Sequence, residues 1–347
     1  MIRRFSAGAV LAVAVIAAGV LLGVHLAGSA TAGTTGTVMT GTTATVMTQP
    51  PVSAQPTTTP AASVLPGHGR PTVALGDMNT PEQFVLGQLY ETALSQQGYD
   101  VTLSRNIGTT ATPASEAQQA LEQGILDLYP QYLDVWDRGV AGRRRPLASA
   151  AAAYTAGQAY ATAHGFRLLT PSPGSDTYTF AVTSQFARQN RLGSLAQLLR
   201  LPALTFGVPL AFAGLARAER AYSFQPGVVE DVGTGAQYGD LTAGEIQVAY
   251  ANTTDPQFFQ PGFTLLRDPQ HVFGFGNIVP VTTPAVIRSE GPAFVRTIDR
   301  VDALLTTSAL RGLEAEVLFY RYHLAAVVDS FLQGNGLIPP PQYVPSG

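Results

Sequence analysis

The chain has 347 residues, of which 46% are hydrophobic and 12% are charged, and its formal net charge is −3. It contains no cysteine and no lysine. These absences exclude disulfides, thiolate nucleophiles, lipidated cysteines, lysine Schiff bases and a phosphate-binding Gly-Lys-Ser/Thr loop, and the charge balance offers no basic surface for nucleic acid.

The N-terminus has the order of a secretory signal. Arg3 and Arg4 precede an apolar run over residues 5–27, and the small residues Ala-Thr-Ala follow at 30–32. The run is longer than the ~7–15 apolar residues of a cleaved signal and approaches the ~20 that span a bilayer. Residues 1–32 are therefore predicted to be a signal peptide or an N-terminal membrane anchor. The rest of the chain is predicted to be extracytoplasmic, either secreted or tethered to the outer face of the membrane.

Residues 33–70 are rich in Thr and Pro and show neither a charge pattern nor an apolar period. Such a composition cannot build a core, so this stretch is predicted to be a flexible linker. The folded body is predicted to begin at about residue 71. Nothing downstream is long and apolar enough to be a second membrane span.

The first predicted elements of the body are a strand, a helix and a strand. Residues 72–76 form a short apolar run, and the apolar positions of residues 81–94 have helical spacing. Asn79 or Thr80 is the expected helix cap, with Pro81 at the first helical position. A second strand follows at 99–103. This order is typical of a parallel sheet covered by helices.

A weak internal repeat predicts two similar α/β lobes. Residues 116–129 and 235–250 each show a helix that begins near an Ala-Gln pair, ends at a glycine and leads into a strand carrying a tyrosine. Glycine suits a helix C-terminus because it adopts the left-handed conformation at little cost. Chance similarity is the alternative, because helix-glycine-strand is common in α/β proteins.

The remaining elements alternate in the same way until the C-terminal region, which is predicted to be mostly helical. Apolar spacing and capping residues predict the following segments: a helix at 147–163, strands at 165–169 and 177–183, helix starts at Thr183 or Ser184 and at Ser194, a strand at 205–209, and helices over 294–333.

Five motifs occur in an order that resembles a known family. They lie at residues 73–83, 106–110, 127–132, 176–183 and 253–255. The most specific is Asp-Leu-Tyr-Pro-Gln-Tyr at 127–132, close to the family's Asp-Leu-Tyr-Pro-Glu-Tyr. Together they resemble the extracytoplasmic substrate-binding proteins of ABC transporters for glycine betaine, choline and related osmoprotectants.

The resemblance implies an α/β, two-lobed periplasmic-binding-protein-like fold with a ligand cleft between the lobes. It places lobe 1 at 71–176, with residues 277–338 returning to it, lobe 2 at 177–276, and a C-terminal tail at 339–347. The implied partners are a small-molecule ligand and the ABC permease of the importer, with membrane contact only through the N-terminal segment and no nucleic acid.

The same resemblance supplies candidate ligand contacts. A quaternary ammonium cannot donate a hydrogen bond, so it is held by the faces of aromatic rings. Family ring positions fall on Tyr132 and Tyr178, and a polar contact falls on Thr110. The motif segments add Asn79 and Asp255. For each tyrosine the alternative is a packed strand residue with its hydroxyl bonded nearby.

The second lobe departs from the family pattern at two places. Asn252 stands where many members have an aromatic residue, with Tyr250 two residues earlier on the same strand face. Gly276 stands where members have a tyrosine, beside Phe275 and Asn277. Fewer rings weaken cation binding, so the sequence predicts an altered ligand with a polar group for Asn252 and Asn277.

Three functions are compatible with these patterns. The favoured one is a binding protein that delivers a zwitterion or quaternary-ammonium cation to an ABC importer. The second is a membrane-tethered sensor or scavenger of the same fold. The third, an enzyme, is disfavoured because no nucleophile and base stand together, and His164 and His271 lack partners at metal spacing. No cofactor, metal or catalytic residue is expected.

Overall fold

The structure of the protein is a computed structural model that describes residues 64–108, 113–210 and 212–340. The predicted signal or anchor, residues 33–63 of the predicted linker, Thr110, and residues 341–347 of the predicted tail lie outside the described residues. Within the described residues, no helix combines the length and the apolar character needed to cross a bilayer.

The described strands form two five-stranded sheets. In chain order they are β1 (Val73–Met78), β2 (Val101–Ile107), β3 (Leu128–Tyr132), β4 (Arg167–Leu168), β5 (Tyr178–Thr183), β6 (Thr205–Val208), β7 (Val228–Asp231), β8 (Val248–Asn252), β9 (Phe263–Leu266) and β10 (Ile278–Thr282). The first sheet has the order β2-β1-β3-β10-β4, and the second has the order β7-β6-β8-β5-β9.

Helices cover both sheets, and four of the described helices follow β10 at the C-terminal end. In chain order the α-helices are α1 (Pro81–Gln96), α2 (Pro113–Glu122), α3 (Leu133–Val135), α4 (Ala150–Ala163), α5 (Ser184–Asn190), α6 (Gly214–Tyr222), α7 (Gln237–Ala243), α8 (Pro284–Glu290), α9 (Pro292–Asp302), α10 (Thr307–Leu318) and α11 (Leu324–Gly334). A π-helical turn (Trp136–Val140) and two 3-10 turns (Leu195–Arg200 and Pro256–Phe259) complete the helical segments.

The two sheets share one topology. In the first, β1 runs parallel to β2 and β3, and β10 pairs antiparallel with β3 and β4. In the second, β6 runs parallel to β7 and β8, and β5 pairs antiparallel with β8 and β9. The chain crosses from the first sheet into β5 and returns through β10. This exchange of a strand in each direction confirms the predicted α/β, two-lobed fold class.

The predicted repeat corresponds to α2–β3 in the first lobe and α7–β8 in the second, which occupy matching positions in the two sheets. The glycines that follow these helices, Gly124 and Gly244, have φ of 69° and 77°. Both are left-handed, as the helix C-terminal role requires.

Capping side chains begin several helices where the sequence predicts. Thr80 Oγ1 accepts a hydrogen bond from the backbone N–H of Gln83 at 3.3 Å, and Pro81 is the first residue of α1. Thr183 caps α5 in the same way through the N–H of Phe186 at 3.1 Å. A side-chain oxygen at this position satisfies a backbone donor that the helix itself leaves unpaired.

Apolar residues pack on both faces of each sheet. In the first sheet, Leu128 faces a core shared with α1, α9 and α11, and the next residue, Tyr129, faces a core shared with α2 and α4. In the second sheet, Phe180 and Ala181 alternate between two cores in the same way. Alternation along a strand therefore buries each sheet between two helical layers.

The described part of the predicted linker packs on the first lobe. Gly67 is buried and donates its backbone N–H to the carbonyl of Gln97 at 2.9 Å. Arg70 donates to the carbonyl of Ser289 at 2.8 Å. The boundaries given for the linker, the lobes and the tail stay predictions.

Candidate functional site

A cavity of about 520 Å³ lies between the two sheets. Its walls come from both lobes, because α1, β3 and α10 contribute on one side and β5, α7 and β8 contribute on the other. The described lining residues are Thr80, Pro81, Glu82, Tyr132, Asp134, Val135, Asp176, Tyr178, Thr234, Gly235, Gln237, Tyr238, Tyr250, Asn252, Thr254, Asp255, Pro256, Gln257, Glu314 and Leu318.

The topology explains why these side chains meet. Thr80 follows the carboxyl end of β1, Tyr132 ends β3 and Asn252 ends β8, and the carboxyl ends of parallel strands are the usual ligand position in open α/β sheets. Tyr178 begins β5 and pairs with Asn252. The first residue of the antiparallel strand is thereby brought to the same edge.

Four of the described lining residues are tyrosines: Tyr132, Tyr178, Tyr238 and Tyr250. The rings of Tyr178 and Tyr250 have centroids 5.5 Å apart and are tilted by 41°. Phe212 packs edge-on behind both, at 5.6 Å and 4.9 Å. The Tyr238 hydroxyl donates to Asp255, so that ring is fixed in place.

Five carboxyl groups share the same cavity: Glu82, Asp134, Asp176, Asp255 and Glu314. Asp255 is well satisfied, since it accepts from the Tyr238 hydroxyl and from the backbone N–H of Asn252 at 2.9 Å. By contrast, Asp134 Oδ1, Asp176 Oδ1 and both carboxyl oxygens of Glu82 are buried and make no hydrogen bond of ordinary geometry. The described lining contains no arginine and no histidine.

Burial raises the pKa of every one of these carboxyl groups. It raises the pKa of Glu314 to about 8 and that of Asp134 to about 7, from ordinary values of 4.5 and 3.8. Burial is the main cause that holds the pKa of Glu82 well above its ordinary value, and the negative charge of Glu314 is the second cause. Burial is also the main cause that raises the pKa of Asp176, and the negative charge of Glu82 raises it further. Burial therefore favours the protonated carboxyl groups, and a bound positive charge would favour the ionised ones.

The structure brings five of the predicted contacts to this cavity: Tyr132, Tyr178, Tyr250, Asn252 and Asp255. They come from three strands and a turn that are distant in sequence. Tyr178 is 36% exposed, and the Tyr250 hydroxyl donates to Asn252 Oδ1 at 3.4 Å. The tyrosines therefore present their rings and hydroxyls at one place between the lobes.

Three other predicted contacts lie elsewhere. Asn79 is exposed beside the cap of α1 and does not line the cavity. Phe275 packs against the core of the first lobe, with its ring 4.6 Å from that of His271. Asn277 donates from Nδ2 to the carbonyls of Ser172 and Gly174, at 2.9 and 3.2 Å. Asn277 therefore holds the two crossing segments together.

Gly276 also belongs to the crossing segments. A Cβ atom built on it would lie 1.6 Å from the backbone oxygen of Asp176. Its backbone N–H donates to Ser175 Oγ and Thr177 Oγ1, and its carbonyl accepts from the N–H of Asp176 at 2.8 Å. The close backbone approach therefore leaves no room for a side chain, which accounts for the glycine in physical terms.

Sequence reasoning missed several lining residues. Glu82 and Asp176 lie within the motifs that carry the resemblance, and Tyr238 lies within the repeat, so signals for all three were present. The sequence gives no signal for Glu314, because it lies in a helix whose apolar spacing predicts only that the helix packs against a core. Its place depends on the return of the C-terminal helices across the cavity.

Comparison with known proteins gives a consistent result. Residues 71–333 match the family model described as the substrate binding domain of an ABC-type glycine betaine transport system. The glycine betaine-binding protein YehZ of Escherichia coli K12 is 26% identical over 297 residues, covering 80% of this chain and 94% of that protein. A glycine-betaine-binding protein of Pseudomonas aeruginosa PAO1 is 25% identical over 283 residues, covering 77% of this chain and 89% of the relative.

A solved structure described as a glycine betaine/carnitine/choline ABC transporter has the same fold. It superposes with a TM-score of 0.68 at 21% identity and covers 76% of this chain and 99% of its own. The family model spans most of the chain, including both sheets and the cavity between them. The chain therefore belongs to the family of substrate-binding domains of ABC-type glycine betaine transport systems.

Proposed function

We propose that the protein is the extracytoplasmic substrate-binding component of an ABC importer for a small quaternary-ammonium or zwitterionic solute. The observation that carries the proposal is the cavity lined by four tyrosines, with walls from both lobes. The names of the relatives, which are glycine betaine-binding proteins, support the same solute class.

Ring faces are the protein groups suited to a quaternary ammonium. Such a cation offers methyl groups but no hydrogen-bond donor, and each ring contributes about 0.5–2 kcal/mol depending on how far the pair is desolvated. Tyr178 and Tyr250 form a tilted pair, and Tyr132 approaches from the other lobe. Tyr238 adds a fourth ring to the described lining. We assign the cation to these rings, with Asn252 and Asp255 as polar neighbours.

Because the cavity has walls from both lobes, a bound ligand can stabilise a closed arrangement of the two lobes. A solute that contacts both lobes at once binds the closed arrangement better than an open one, so it shifts the population toward closure. The crossing segments that include Asp176 and Gly276 are where the lobes join. A closed, loaded protein is the form that an ABC permease would receive.

Binding and closure are both measurable on the purified protein. Calorimetric titration with choline, glycine betaine, carnitine and proline betaine tests the solute class. Small-angle scattering with and without the tightest ligand tests closure, and we expect the radius of gyration to fall. The absence of binding by all four compounds would contradict the solute class. Binding without any change in scattering would contradict closure.

Loss of uptake on deletion of the gene tests the importer role against a sensor or scavenger.

Removing one ring should weaken binding of the cation. For Tyr178→Ala we expect about a tenfold rise in the dissociation constant of the tightest quaternary-ammonium ligand, because one cation–π contact is lost. Tyr178→Phe keeps the ring and should stay within about threefold of the parent, since the ring face supplies the attraction. Tyr322→Ala is the control, because Tyr322 is 59% exposed and does not line the cavity. Equal effects of the Ala and Phe variants would mean that the hydroxyl, not the ring, contacts the ligand.

A further inference from the structure

Glu82 is a buried carboxyl group in the lining of the cavity. It lies in the first turn of α1, its side chain is 4% exposed, and it lines the cavity. Neither oxygen makes a hydrogen bond of ordinary geometry, although Glu314, Thr254 and Tyr132 lie within reach. An unsatisfied buried polar group destabilises the folded protein, so its presence in a ligand cavity indicates a partner that the ligand supplies.

Other carboxyl groups surround Glu82 without cations among them. Glu314 approaches from α10 and Asp176 from the segment before β5, where Asp176 Oδ1 is also unpartnered. Arg311, on the same helix as Glu314, does not line the cavity; it donates from Nε to the carbonyl of Thr253 at 2.8 Å, and its charge acts on Asp255. Across the described chain, no three His, Cys, Asp or Glu side chains are placed to hold a metal ion.

We propose that the ligand is a small organic dication. In this arrangement its quaternary-ammonium end lies against the tyrosine rings, and a hydrogen-bond-donating ammonium end lies against Glu82, Asp176 and Glu314. The inference rests on the proposed function, because it takes the ring wall as the site of the quaternary end. It goes further in naming what the second end of the solute is.

The chemistry of the two walls assigns the two ends. A quaternary ammonium has no N–H, so it cannot satisfy the oxygens of Glu82 and Asp176. A primary ammonium has three N–H donors and a full charge, and hydrogen bonds from such a group to carboxylates are stronger than neutral ones. A carboxylate end, as in a betaine, carries no hydrogen-bond donor for these oxygens, and its negative charge would oppose the ionisation of Glu82, Asp176 and Glu314.

A matched ligand series isolates the second end. The compounds share one trimethylammonium head and a two-carbon chain, and they end in hydrogen, hydroxyl, ammonium or carboxylate: ethyltrimethylammonium, choline, 2-aminoethyltrimethylammonium and the trimethylammonium propionate. We expect the ammonium compound to bind roughly 10- to 100-fold more tightly than the ethyl compound, and the carboxylate compound to bind weakest. Calorimetry of the purified protein measures all four.

Glu82→Gln tests the assigned wall. Gln keeps the shape and removes the charge, so the affinity ratio of the ammonium to the ethyl compound should fall toward one. Glu314→Gln is the second variant, in case Glu82→Gln does not fold. Glu290→Gln is the control, because Glu290 is 3% exposed with an unpartnered Oε2 but lies outside the cavity. It should leave the ratio unchanged.

The outcomes separate this inference from the proposed function. If no compound of the series binds, the proposed function itself fails. If all bind equally, or choline binds tightest, the ring wall stands and the dication is wrong. Arg217 lies close to Tyr178 and Asp134, and its Nε is unpartnered. If the carboxylate compound binds tightest and Arg217→Gln abolishes that preference, the ligand is a zwitterion read by Arg217, and the inference is overturned.

Discussion

The ligand-free protein is expected to be more stable at pH 5 than at pH 8.5, by roughly 3–5 kcal/mol from Glu314 alone, because one pKa unit is worth about 1.36 kcal/mol. Burial raises the pKa of Glu314 to about 8 from an ordinary 4.5. Glu82 from α1, Asp176 before β5 and Asp255 after β8 face it, and all carry the same sign. No described cation lines the cavity with them.

The sign follows from which state holds the proton. Below pH 4.5 the Glu314 carboxyl is protonated in the folded and unfolded chains alike, and the stabilisation is fully present. As the pH rises from there to about 8, the unfolded chain loses the proton and the folded chain keeps it. The folded state then binds more protons than the unfolded state. The contribution of Glu314 to stability therefore falls as the pH rises and is lost above the folded pKa. Asp134, with a pKa raised to about 7, acts in the same direction.

Thermal unfolding at a series of pH values measures this effect. A change of this size corresponds to a fall in Tm of about 10 °C between pH 5 and pH 8.5. Glu314→Gln removes this carboxyl group and should flatten the upper half of the profile. A saturating cationic ligand should restore Tm most strongly at pH 8.5, where it meets ionised carboxylates. A Tm that is constant or rises over this range would contradict the buried, partnerless carboxyl groups.

The fold was largely predictable because its signals are local and repeated. The helix that starts at Thr80 and the glycines after α2 and α7 follow from capping and from backbone conformations that few residues adopt cheaply. Tyr132 ends β3 and Tyr178 begins β5, and both were found because they lie in short motifs that carry the family resemblance. Such features depend on a few adjacent residues, so they are visible in one sequence.

The carboxylate wall was not predictable, because it depends on contacts between distant segments. Glu314 reaches the cavity only because α10 packs against the Pro256–Phe259 turn of the second lobe. Phe275 and Asn277 were predicted to line the cavity because they flank Gly276, where family members have a tyrosine. Both precede β10 in the crossing segment, where the side chain of Phe275 packs into a core of the first lobe and that of Asn277 bonds the carbonyls of Ser172 and Gly174.

The same crossing geometry predicts that Gly276 cannot be replaced. Gly276→Ala would place a Cβ 1.6 Å from the backbone oxygen of Asp176 and 2.4 Å from its carbonyl carbon. Backbone atoms cannot rotate away, so the crossing segments must separate and lose the hydrogen bonds to Ser175 and Thr177. We expect a loss of about 3 kcal/mol in the free energy of unfolding, at the upper end of overpacking effects. Chemical denaturation measures this loss.

A Gly276→Tyr variant distinguishes two explanations of this glycine: the loss of an aromatic ring that would contact the ligand, or a backbone approach that only glycine allows. If Gly276 were only a missing wall of a ring cage, Gly276→Tyr would strengthen binding of quaternary-ammonium ligands. The structure predicts the opposite, a still less stable protein with no gain in affinity. Gly239→Ala is the control, because no atom lies within 4 Å of its built Cβ and it lies within α7, where alanine stabilises by about 0.5–1 kcal/mol. If Gly276→Ala instead unfolds like the parent protein, the segments can separate freely and the ligand contacts assigned to β5 must shift with them.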